Sequence, residues 1–170
     1  SSGSGCPKSS QSKPLSGTFE CDLWSMEVST GSFVSDDVVY GASSANDIIA
    51  GKVWIAVTIN ATYKGEGASS SNDICDTWND ACGLIGKNNV MYPVDWIADY
   101  RGVGLESDFG PPFYLSSDLA MPRKGGKLRA AMWFHVDSGD SDLVLALDMS
   151  NDSSKSDPAA WIDVSNDRKS

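Results

Sequence analysis

Three carboxylates crowd one short loop: Asp137, Asp140 and Asp142, within DSGDSD. Carboxylates this close repel one another unless positive charge sits among them, and hard cations such as Ca²⁺ take oxygen ligands of this kind. Two fates are open to such a loop, a solvated acidic hairpin turn or a cation site. A second acidic stretch, Asp148–Asp157, lacks the glycine and distal glutamate of an EF-hand and reads as a solvated turn. Six tryptophans offer flat apolar faces for stacking on sugar C–H surfaces. Trp78 is the informative one, because it lies between acids in the short segment Cys75–Cys82, away from any strand. His135 is the only histidine and falls inside a strand pattern, so it reads as a strand residue rather than a general base. The four glutamates, Glu20, Glu27, Glu66 and Glu106, show no pairing that marks a glycosidase cleft. The expected chain is not an enzyme.

The elements that would position the acidic loop are two strands. Leu128, Ala130, Met132, Phe134 and Val136 alternate with Arg129, Ala131, Trp133 and His135. Leu143, Leu145 and Leu147 then repeat the period-2 pattern. Lys52–Tyr63 is the other clear strand, with Val53, Ile55, Val57 and Ile59 on one face. Shorter strands are expected at Thr18–Trp24, Glu27–Val34, Val38–Tyr40, Met91–Ala98 (broken at Pro93, as at a sheet edge), Phe113–Leu115 and Ala160–Val164. Tyr100–Pro112 reads as a loop. No amphipathic helix stands out. The sum is an all-β chain, a single β-sandwich or jelly-roll-like domain of about 8–10 short antiparallel strands. It occupies residues 17–170 behind a Ser/Gly/Pro-rich arm at 1–16.

The 170 residues suit one domain with a real core. Net charge is −10, from 13 Lys and Arg against 23 Asp and Glu. That balance excludes nucleic acid as a partner, since phosphate binding needs a basic face, and no apolar run is long enough to insert in a membrane. Cys6, Cys21, Cys75 and Cys82 lack zinc spacing. The simplest of three pairings is Cys6–Cys21 with Cys75–Cys82, which implies an oxidising compartment and a secreted, extracellular protein. The opening SSGSGCPKSS reads as a trimmed terminus from which a targeting segment has gone. Asn60 and Asn151 begin sequons, making them candidate glycosylation sites of a glycoprotein.

Over roughly residues 45–149 the chain resembles the PA-I-like galactophilic lectins. The resemblance rests on GLIGK (Gly83–Lys87), PFYLSSDLAMPRKGGKL (Pro112–Leu128), the strand leading to the Asp-rich loop, and the strand Val53–Ile59 running to Tyr63. It implies a calcium-dependent lectin, in which one Ca²⁺ holds two hydroxyls of a galactose-type sugar. Tyr63 would supply a backbone carbonyl to the ion, and Asp137, Asp140 and Asp142 side-chain oxygens. Trp78, Asp140 and Asp142 would then meet the glycan. The chain departs from the family in having no adjacent asparagines in the loop and no histidine between Tyr63 and Cys75. The rival expectation is a structural subunit of an extracellular assembly (a filament, sheath or surface layer), with self-assembly or homo-oligomerisation through the arm.

Overall fold

The computed structural model describes residues 5–35, 49–70, 73–75, 82–95, 105–113, 119–149 and 160–165. The strand expected at Val38–Tyr40, the Trp78 segment and Asn151 lie outside them.

Strand β4 (Lys52–Tyr63) is the spine of the molecule. On one side it pairs antiparallel with β7 (Lys127–Asp137) along nearly its whole length, from Lys52 opposite Asp137 to Thr62 opposite Lys127. On its other side lie β2 (Trp24–Val28) and β3 (Ser32–Val34), with β1 (Thr18–Glu20) beyond β2. The stretch expected as one strand over Thr18–Trp24 is broken by a tight turn, in which the Cys21 N–H donates to the Trp24 carbonyl. A second antiparallel sheet runs in the order β6 (Met91–Tyr92), β5 (Gly83–Ile85), β8 (Val144–Leu147), β9 (Ala160–Asp163). Leu15 of the arm bridges Ile162 at the β9 edge. The fold is all-β, with two antiparallel sheets.

Period-2 alternation explains the core. Ile55, Val57 and Ile59 of β4 and Leu128, Met132 and Phe134 of β7 point to one side, where they join Leu84, Leu145 and Ile162 of the second sheet in one buried cluster. The opposite face of β4 and β7 is covered as well. Trp54, Ala56, Ala131 and Trp133 form a second buried cluster with Leu105. Leu105 belongs to a short helix, α1 (Leu105–Phe109), where the sequence pattern suggests only loop. A five-residue helix is too short to show helical periodicity, and tertiary contacts hold it. Phe109 meets Trp133 edge-on at 5.5 Å. The Arg129 guanidinium donates to the Ser107 and Asp108 carbonyls, and Gly110, at φ +106°, ends the helix in a conformation open to glycine.

His135 shares this outer cluster, stacked on Trp54 with ring centroids 4.3 Å apart. The half-exposed face expected for β7 is therefore corrected: positions 130–136 are buried on both sides. Trp133→Ala is expected to cost about 3–5 kcal/mol, as a large aromatic-to-alanine truncation does. Urea unfolding measures this, and a loss below about 1 kcal/mol would mean that α1 and its cover are not bearing on the sheet.

Candidate functional site

The acidic loop does not turn a hairpin. β7 ends at Asp137 in the first sheet and β8 begins at Val144 in the second, so the loop is the crossover between sheets. It turns where the Asp140 N–H donates to the Asp137 carbonyl at 3.0 Å. Asp142 then takes a left-handed backbone at φ 55°, as short polar side chains do more readily than most.

Two of the three carboxylates are held from within the chain. Asp137 accepts from Lys52 Nζ at 3.0 Å, its cross-strand partner on β4. The same ammonium lies 5.5 Å from the Tyr92 ring centroid. Asp140 accepts hydrogen bonds from the Tyr92 hydroxyl at 2.8 Å, the Asn88 N–H at 3.0 Å and the Ser141 N–H at 2.9 Å. Beside it the Lys87 N–H donates to the Ser141 carbonyl. The crossover is thus tied to the turn between β5 and β6.

Gly86 is what lets the two backbones approach so closely. A Cβ there would lie 2.5 Å from Asp140 Oδ1 and 2.7 Å from the Ser141 carbonyl oxygen. Burial raises the Asp140 pKa, but the N–H donors of Asn88, Ser141 and Lys87 and the Tyr92 hydroxyl outweigh it, leaving the carboxyl below its ordinary value. Tyr92 is pushed up to about 12 by burial first, then by its bond to Asp140 and the negative charge of Asp140 and Asp137.

Strand register separates one member of the expected calcium shell from the others. Tyr63 ends the 12-residue β4 at the pole opposite Lys52 and Asp137. At ~3.3 Å per residue that is roughly 36 Å away. Its carbonyl accepts from the Gly125 N–H at 2.8 Å. Calcium takes six to eight oxygens around one centre; here Asp137 Oδ1 faces the Lys52 ammonium, and both Asp140 oxygens face N–H or O–H donors. Tyr63 therefore lies too far off to join Asp137, Asp140 and Asp142 around one ion.

Asp142 remains exposed, and it lines two adjoining depressions. The larger, about 440 Å³, is bounded by Ser10, Gln11, Ser12, Gly86, Lys87 and Asp142. The smaller, about 50 Å³, contains Phe33, Ile55 and Leu143. Phe33 pairs with the core residue Ile55, so it stands on the core-facing side of its sheet, yet it is 64% exposed. It marks an open mouth between the sheets. Among the described residues neither Lys87 nor Asp142 forms an ion pair.

Sequence reasoning found Asp142 here and missed the rest. Phe33 sits in a weak strand pattern, and the arm's Ser-rich composition reads as loose; the one available signal was Cys6, which ties the arm down. The arm lies on its own chain, with the Leu15 N–H donating to the Trp161 carbonyl at 2.7 Å and the Asp163 N–H to the Leu15 carbonyl. Both disulfides form as expected, Cys6–Cys21 and Cys75–Cys82, as suits an oxidising compartment. Asn60 is exposed on β4 between Glu27 and Arg129. Asp148, expected in a solvated turn, is fully buried.

Because the folded-state Asp140 pKa is depressed, its contribution to stability is present above the unfolded value of about 4 and is lost as pH falls through the folded value. The stability difference between the native chain and Asp140→Asn, read by urea unfolding, is expected to shrink from about pH 5 to about pH 2. A difference constant over that window would show that the Asp140 charge does not hold the crossover.

No family model and no curated protein sequence matches the chain. Among solved structures the fold is similar to a Bacillus subtilis (strain 168) protein, YcdA, provisionally named a lipoprotein. The two share a TM-score of 0.51 and 13% identity over 91% of this chain and 40% of that one. A conserved hypothetical protein from Bacillus anthracis gives a TM-score of 0.47 and 12% identity over 86% and 94%. The likeness to the B. subtilis protein is one of fold, and this chain spans about two fifths of its length.

Proposed function

We propose that this chain is an extracellular carbohydrate-binding β-sandwich module that holds its glycan by direct contacts at the crossover end, rather than through a calcium ion. The observation that carries this reading is the position of Asp142, at the shared rim of a groove lined by Ser, Gln and Lys residues and a hollow bearing an exposed aromatic ring. A carboxylate accepts two sugar hydroxyls at once, and Lys87, Gln11, Ser10 and Ser12 supply complementary donors and acceptors. Phe33 offers the apolar surface on which a sugar's C–H face stacks. Concave sites with few convergent polar groups beside apolar surface are where small ligands bind.

The two disulfides support an extracellular compartment, in keeping with the provisional lipoprotein naming of the B. subtilis neighbour. Phosphate-bearing polymers are disfavoured by the net charge of −10.

The test is calorimetry with lactose, chitotriose, maltotriose and a galacturonic acid trimer, each with added calcium and with EDTA. At least one sugar is expected to bind with heat unchanged by EDTA, and Asp142→Ala is expected to weaken it tenfold or more, about 1.4 kcal/mol. Heat abolished by EDTA would restore the ion-held lectin. No heat from any sugar, or full affinity in Asp142→Ala, would remove this site.

A further inference from the structure

Half of the groove's lining comes from the N-terminal arm, as Ser10, Gln11 and Ser12, and half from the body, as Gly86, Lys87 and Asp142. The arm's hold on the body is concentrated at Cys6, Ser9 and Leu15. In front is the Cys6–Cys21 disulfide, which closes a loop of sequence separation 15 containing the whole arm wall. On β9 the arm is held on either side of that wall, by the bond from the Trp161 N–H to Ser9 Oγ at 2.9 Å ahead of it and by the Leu15 bridge behind it. Between them the arm bonds mainly to itself: the Lys13 N–H donates to the Ser10 carbonyl and lies 3.1 Å from Ser10 Oγ, and the Ser10 and Ser12 hydroxyls are 3.3 Å apart. Its apolar contribution to the core is confined to Cys6 and Leu15, both only partly buried.

We propose that the groove is assembled by oxidation: closing the Cys6–Cys21 bond seats the arm against Gly86, Lys87 and Asp142, while a chain with that bond open folds its sheets but lacks the site. This rests on the proposed glycan-binding reading and adds its regulation. The Cys6 and Cys21 thiols lose two protons and two electrons to a disulfide oxidant. The oxidant's own S–S bond opens to a dithiol as the Cys6–Cys21 bond closes. The three hydrogen bonds that Ser9 and Leu15 make with β9 are few against the conformational entropy of the arm once the covalent loop is open. Binding is thereby confined to an oxidising compartment. The other disulfide is a separate matter: Cys75 and Cys82 are both buried, and none of the groove residues lies between them.

The test compares hydrogen exchange in the full-length oxidised chain and in Cys6→Ser/Cys21→Ser, with no ligand present. In the variant the amides of Lys13, Leu15 and Trp161 are expected to exchange tenfold or more faster, while those of β4 and β7 keep their protection. Retained protection of the arm would overturn the proposal, because the arm would then be seated without the bond. Protection lost in β4 and β7 as well would also overturn it, because the bond would then hold the fold and not the groove alone. Calorimetry of the variant with the four sugars above is expected to show any oxidised-chain affinity reduced tenfold or more. If none of those sugars binds the oxidised chain, the glycan reading fails while the exchange result still judges the arm.

Discussion

The whole crossover end depends on how a chain that changes sheets disposes of its own negative charge. Asp137 and Asp140 lie on a connection that must be tight, because it joins β7 in one sheet directly to β8 in the other. Left bare, they would repel each other and open that connection. The charge is instead met by groups from three other parts of the chain: Lys52 from the spine strand, the Tyr92 hydroxyl from β6, and N–H groups from the turn after β5. Lys52 both pairs with Asp137 and lies over the Tyr92 ring, so the two carboxylates share one network. Hydrogen bonds to charged groups count for more than neutral ones, and burial sharpens the difference.

This arrangement divides the acidic loop by role. Asp137 and Asp140 are structural, and their engagement leaves Asp142 turned outward in a left-handed conformation at the rim of the groove. Closeness in sequence made the three look like one ligand set. Cross-strand pairing and backbone donors, which no spacing rule reveals, separate them. The same logic applies at Tyr63, whose place beside the loop would require β4 to run the other way.

Much of the scaffold was legible because alternation is a strong signal in long strands. The β4 limits, Lys52 and Tyr63, follow directly from its pattern, and the inward residues of β7 are those read from it. The disulfide pairing followed from short separations. What alternation cannot tell is which sheet a strand joins, so β7 and β8 looked like a hairpin. Nor does it reveal cover on the outer face: Trp54 and Trp133 lie under α1, whose five residues leave no periodic trace. The partner of Asp137 sits 85 positions away in sequence, and Phe33 is exposed although its strand partner, Ile55, lies in the core.

The most direct test of the account is a double-mutant cycle on Tyr92→Phe and Asp140→Asn, followed by urea unfolding at neutral pH. If Asp140 is the point at which the β5–β6 turn grips the crossover, the two changes are coupled, with an interaction energy of about 1–3 kcal/mol. Simple additivity to within about 0.3 kcal/mol would contradict it, and the crossover would then owe its position to something other than this carboxylate.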